Sequence, residues 1–139
     1  MQKVIIDTNI LVSSIIQKSY PYFIVNELFI EDKIDLCVSD SIMLEYYDVL
    51  TRPKFSKFHD FVIRAESLLA DIELNSSRHI PTIKLDLISD KDDNKFLELA
   101  DICEADFIIT GNFTDFTFSI YKNTKIVTPK EYWENNKPN

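Results

Sequence analysis

Near its start the chain runs Lys3-Val4-Ile5-Ile6 and passes without a break into Asp7-Thr8-Asn9. Three consecutive β-branched apolar residues, then a carboxylate and two small polar groups, predict a buried strand that ends in an acid. A strand apolar at consecutive positions, rather than alternating ones, belongs to a sheet covered on both faces, which is characteristic of parallel α/β folds. Ligands of such folds bind beyond the carboxyl ends of the strands. Asp7 is therefore poorly placed for packing and well placed to meet a ligand.

The rest of the chain repeats the theme. Further strands are predicted at 35–38, 107–109 and 125–127. Helical patterns lie between them at 21–30, 41–50, roughly 58–74 and 92–104. A last short helix begins at Pro129, a residue suited to a first helical position. The stretch 78–87, with Pro81, reads as an extended connector. Strands alternating with helices imply βαβ units. The expected fold is a three-layer α/β/α sandwich around a mostly parallel sheet of four to five strands. At 139 residues and 45% hydrophobic, residues 1–139 form one domain that buries roughly 68–70% of its unfolded surface.

Composition removes several classes. The single glycine, Gly111, excludes glycine-rich phosphate loops; it is expected to permit a tight turn where its strand leaves the sheet. No apolar run approaches the ~20 residues of a membrane span, and no signal peptide is evident, so a cytoplasmic location is expected. Cys37 and Cys103 lack CxxC spacing and read as reduced, buried thiols. His59 and His79, the two histidines, lack zinc-ligand spacing.

Helical spacing singles out further acids. Ile42, Glu45, Tyr46 and Val49 fall on one stripe, as do Asp93, Phe96, Leu97 and Ala100. Glu45 and Asp93 are thus directed inward with Asp7, whereas Glu31, Asp32, Glu66, Asp71, Glu73, Glu98 and Asp101 read as solvated charges. Each inward acid also has an ordinary reading: Asp90, Asp92 and Asp93 as caps or first-turn residues, Glu45 as the partner of a neighbouring Lys or Arg. Together, uncompensated, they would destabilise the fold by repulsion and desolvation. A hard divalent cation, Mg²⁺ or Mn²⁺, removes that cost. Asn112 and Asp115, beyond the strand Phe107-Ile108-Ile109-Thr110, are expected to face the same crevice. Thr8, Asn9, Thr110 and Asn112 would orient the acids or the ion's waters.

These segments resemble the PIN domain, and within it the single-domain toxin components of toxin–antitoxin pairs. Val4 to Asn9 resembles the family's opening strand and first acid. Leu44-Glu45-Tyr46-Tyr47-Asp48-Val49-Leu50, followed by Arg52-Pro53-Lys54-Phe55, is similar to its second block. Asp90-Lys91-Asp92-Asp93-Asn94-Lys95-Phe96-Leu97 resembles the third, with Asp93 as the ligand. Ala105 to Asn112 and Ile126 to Tyr132 resemble the remaining two. One position departs: many relatives carry Asp where this chain has Asn112, so that either Asp115 contributes the missing charge or the site runs on three acids.

The resemblance implies a Mg²⁺/Mn²⁺-dependent endoribonuclease. Asp7 and Asp93 would be its main metal ligands, Glu45 would complete the set, Asp115 would assist as a further catalytic acid, and Asp90 would support them. It also implies a homodimer and a small antitoxin partner. The net charge of −8 argues against broad nucleic-acid binding by bulk charge, since phosphates need local Lys and Arg, but is compatible with a nuclease whose acids gather around a metal. Arg52, Lys54, Lys57, His59 and Arg64, interleaved with Phe55, Phe58 and Phe61, form a candidate RNA patch; the other reading is a loop whose aromatics anchor it to the core or to a dimer. Tyr20, Tyr22 and Phe23 would serve a homodimer or an antitoxin. The alternative function is a catalytically quiet PIN-like module that binds RNA or protein. A haloacid-dehalogenase-type phosphatase would need an acid at Asn9, and a response-regulator receiver would need an acidic pair and a helix-linked lysine in order; neither pattern is met.

Overall fold

In the computed structural model, which describes residues 1–88, 93–111 and 118–139, strand β1 (Lys3–Ile6) lies between β2 (Asp35–Val38) and β4 (Phe107–Ile109), parallel to both. Strand β6 (Thr124–Val127) continues the parallel set beyond β4. Val4, Ile5, Ile6, Ile108 and Ile109 are fully buried. Because successive strand residues point to opposite faces, burial at consecutive positions means that both faces of the sheet are covered.

Two strands went unforeseen. Strand β3 (Ser77–Arg78) adds to β2 in parallel, and β5 (Ile120–Tyr121) turns back antiparallel on β6 through Lys122-Asn123. The order is β3-β2-β1-β4-β6-β5. Both additions are two residues long, too short to show a period.

Helix α1 (Thr8–Ile16) was also missing from the expected elements. Its sequence, Thr-Asn-Ile-Leu-Val-Ser-Ser-Ile-Ile, is rich in β-branched residues that disfavour helix locally and blur its polar face. Burial of Ile10, Leu11, Val12 and Ile15 overrides that preference. The segment expected at 21–30 begins as α2 (Tyr20–Phe23) and widens into a π-helical run over Ile24–Phe29. Helix α3 (Asp40–Leu50) is capped by Ser39, whose hydroxyl accepts the Ile42 N–H at 3.3 Å. Helix α4 (Phe61–Asn75) starts three residues later than expected, because the preceding loop folds into a short 3₁₀ turn (Pro53–Phe55) and Phe55 stacks on buried Phe61 at 5.2 Å. Helix α5 (Asn94–Cys103) and the terminal α6 (Pro129–Glu131), which runs on as a π-turn through Asn136, follow expectation.

The connector after β3 carries no helix or strand through residue 88 and is fastened to α5. Buried Asn94 accepts the Leu87 and Ile88 N–H groups through Oδ1, at 2.9 and 3.0 Å, and its amide donates to Ile88 O at 3.3 Å. Glu98, expected in solvent, is instead buried beneath this connector and accepts the Leu85 N–H at 2.8 Å. Asp101 also leaves the solvated group: it accepts Lys122 at 2.5 Å and Tyr121 at 3.1 Å, and its hydrogen bond from Lys122 lowers its pKa.

Both cysteines are free and buried, and they face each other between β2 and α5. Burial also raises the hydroxyls of Tyr46 and Tyr132 above the ordinary tyrosine value. A raised pKa means that the folded state keeps a proton the unfolded chain gives up, so stability is intact below pH ~10 and falls as pH rises beyond it. The midpoint of thermal unfolding should therefore drop between pH 8 and 11, and Tyr132→Phe, which cannot ionise, should drop less than the parent protein.

Candidate active site

Strands β1 and β4 are in register at Ile6 and Ile109, so Asp7 and Thr110 leave the sheet side by side at its carboxyl edge. Thr110 Oγ1 donates to Asp7 Oδ2 at 2.7 Å, and the Asp7 N–H donates to Ile109 O at 3.0 Å. Thr110 is fully buried and Asp7 is 8% exposed. Asp7 is also the N-cap residue of α1, yet its side chain makes no cap bond; its carboxylate is held by the sheet instead.

The next residue extends the cluster to a second helix. Thr8, first in α1, donates its hydroxyl to Glu45 Oε2 on α3. The Tyr46 hydroxyl donates to Ile6 O at 2.5 Å, tying α3 to the end of β1. Burial, and then the charges of Asp7 and Glu45, push the Tyr46 pKa well up, so the phenol remains a protonated donor beside the acids. The other oxygen of Glu45, Oε1, faces Lys95 Nζ at 2.6 Å. Lys95 sits on the first turn of α5, two residues beyond Asp93, the half-buried N-cap residue.

Two side-chain bonds, Thr110 to Asp7 and Thr8 to Glu45, thus meet at consecutive residues, and Lys95 brings the start of α5 to Glu45. The paired reading of Glu45 with a lysine is what the structure shows. Asn9 is exposed. Asp90, Asp92, Asn112 and Asp115 lie outside the described residues. Gly111 does not take a left-handed φ, and a Cβ there would meet only Ile10 Cδ1 at 3.9 Å, an ordinary contact. The turn expected at this point runs into residues 112–117, which lie outside the described residues. Lys95 and Tyr46 were not foreseen as site residues. Tyr46 shares the stripe of Glu45, which was legible; Lys95 meets Glu45 only through the packing of α5 near α3.

The basic patch is arranged differently from the crevice. Arg52 pairs with Asp48 at 2.9 Å and His59 with Asp60 at 3.0 Å, both on the surface. Arg64 donates to Ile15 O at 3.0 Å, about 10 Å along α1 from Thr8 at 1.5 Å per residue. Lys54 and Lys57 are exposed, each over the ring of the next residue, Phe55 and Phe58, at 5.0 and 5.4 Å. Phe55 and Phe58 pack against the core and Phe61 is buried within it, which matches the reading of the aromatics as anchors.

Among the described residues, no three His, Cys, Asp or Glu side chains form a group able to hold a metal. Hard carboxylate oxygens from β1 and α3 nevertheless suit Mg²⁺ or Mn²⁺, because Mg²⁺ is commonly held by one or two carboxylates with water and substrate phosphates completing its shell. Among the described residues, no helix is long and apolar enough to cross a membrane.

The architecture is thus a mostly parallel α/β sheet with Asp7 and Thr110 side by side at its carboxyl edge. The chain belongs to the PIN-domain family: residues 3–114 match the family model described as PIN domain, and members of this family are generally nucleases that use divalent metal ions. It is 31% identical over 140 residues to the uncharacterized protein MJ1680 of Methanocaldococcus jannaschii, covering 95% of this chain and 90% of that protein. Its fold is similar to a chain of VapBC2 from Rickettsia felis, solved bound to a DNA fragment from their promoter. That likeness has a TM-score of 0.57 at 15% identity and covers 90% of this chain and 97% of the other.

The hydroxyl that orients Asp7 carries its own expectation. Thr110→Val preserves shape and removes the 2.7 Å bond. Loss of such an orienting partner commonly costs on the order of 10–100-fold in metal affinity or activity. Calorimetric Mn²⁺ titration should show that loss, with the fold unchanged by circular dichroism.

Proposed function

We propose that the chain is an endoribonuclease that hydrolyses RNA phosphodiester bonds at a carboxylate-held Mg²⁺ or Mn²⁺, and that it is the toxin of a toxin–antitoxin pair. The observation that carries this reading is the linkage of Asp7 and Glu45, from different elements, through Thr8 at the carboxyl edge of a PIN-family sheet.

Asp7 and Glu45 would hold the ion, with Asp93 at the head of α5 and Asp115 completing the acidic set. Thr110 fixes the Asp7 carboxylate, Thr8 fixes that of Glu45, and the Tyr46 phenol fixes α3 against β1. Asn9, Asp90 and Asn112 would support them. When bound, a divalent ion supplies Lewis-acid chemistry, activating water and balancing the charge of an in-line displacement at phosphorus. Fixed carboxylates lower the cost of that step because they need not reorganise. Lys54 and Lys57 would contact the phosphates of a longer RNA outside the crevice, with Arg52 and Arg64, also exposed, beside them. A cytoplasmic toxin of this kind would pair with itself and with a small antitoxin; the likeness to a chain of VapBC2 supports the antitoxin alone.

The test is cleavage of a panel of single-stranded and structured RNAs by the purified protein in Mg²⁺, Mn²⁺ or EDTA. Cuts that need metal are expected. Metal binding without any cut would favour the quiet module instead.

A further inference from the structure

Glu45 has no idle oxygen: Oε2 takes the Thr8 hydroxyl and Oε1 stands 2.6 Å from Lys95 Nζ. The two side chains of the ion pair are only 21% and 22% exposed, so this is not the screened surface contact that contributes little. Lys95 is also oddly placed for its own helix. A cation in the first turn of a helix meets the positive end of the dipole, and Glu45 offsets that penalty. Each oxygen keeps a further lone pair for an ion, but an ammonium 2.6 Å from Oε1 repels an incoming cation, so the ion binds more tightly if Lys95 yields. Lysine suits a yielding partner, being a point charge on a flexible four-carbon stem with three donors and no fixed fork, and its ammonium is a ready phosphate ligand.

We propose that Lys95 is a placeholder cation: it holds Glu45 in the ion-free protein, releases it when a divalent ion arrives, and then places its ammonium on a phosphate oxygen of the RNA. This rests on the nuclease reading above, which supplies the ion and the RNA. The same side chain thereby keeps the acid cluster neutralised before metal binds and adds positive charge to an acidic protein where the substrate must sit.

Lys95→Met keeps the stem and removes the charge. Calorimetric titration with Mn²⁺ alone should show tighter binding in this variant, on the order of tenfold, since a competing cation within contact distance has gone. Lys95→Arg, which keeps the charge and adds a fork that grips a carboxylate, should show no such gain. Adding Glu45→Gln to Lys95→Met should abolish the gain, as expected of coupled neighbours. On RNA, Lys95→Met should lose kcat/KM despite its tighter metal binding. A purely positioning lysine predicts the opposite sign: Glu45 would swing free and Mn²⁺ would bind more weakly. Weaker or unchanged Mn²⁺ binding in Lys95→Met therefore overturns the placeholder role while leaving metal-dependent cleavage by the parent protein untouched. Tighter binding, with no cleavage by any form, would support the placeholder at Glu45 and contradict the nuclease reading. Absence of Mn²⁺ binding in every form overturns both.

Discussion

Asp7→Asn should reduce metal-dependent RNA cleavage by on the order of 10³-fold, the upper end of what removing one preorganised charge-stabilising group costs. The substitution is isosteric, and an amide oxygen can still accept the Thr110 hydroxyl bond that now holds Oδ2 at 2.7 Å. Only the charge is lost. Asp7 is 8% exposed, so its charged form carries a desolvation cost that a neutral amide avoids. Removing that charge should leave stability equal or slightly higher, read as an unchanged or raised thermal midpoint. The combination of lost cleavage and retained fold is the signature of a carboxylate kept for function. Asp93→Asn should behave the same way. A variant of either acid that turns over at the parent rate would refute its role.

The largest structural effect is expected at Asn94, where one buried side chain satisfies three backbone groups of the connector. Asn94→Ala leaves the Leu87 and Ile88 N–H groups without their acceptor, and the latter belongs to a buried residue. Each buried donor left unpaired costs about 1–3 kcal/mol; with water reaching the more exposed Leu87, a total of about 2–4 kcal/mol is expected. With a urea slope of about 1–3 kcal/mol/M, the unfolding midpoint should fall by roughly 1–2 M. Cleavage should fall as well, because the same bonds pin the connector to the end of α5 that carries Asp93. A midpoint shift below about 0.3 M would mean that the connector is held by other contacts.

The sheet was legible for a simple reason. Val4-Ile5-Ile6 and Phe107-Ile108-Ile109 are apolar at every position, a pattern that only burial on both faces sustains. Each ends in a polar residue, Asp7 or Thr110, and the parallel pairing of the two strands sets these residues side by side at the sheet edge. Glu45 was legible from its stripe, and its half-buried place follows from Ile42 and Tyr46 on the same face of α3. What escaped notice depended on contacts distant in sequence. Lys95 reaches Glu45 from another helix, 50 positions on. Glu98 is buried only because the connector crosses it, and nothing in its own helix signals that cover. Helix α1 was hidden by local propensity, which its burial overrides. Arg64 belonged to a plausible basic run, yet its guanidinium is spent on a backbone carbonyl at the far end of α1.

Asp7 and Glu45 are proposed to hold a divalent ion. The most direct test is titration of Mn²⁺ into the purified protein and its Asp7→Asn variant, followed by electron paramagnetic resonance, which counts free against bound ion. Saturable binding by the parent protein, lost or weakened at least about tenfold in the variant, is the predicted result. Equal binding by the two proteins would contradict the account.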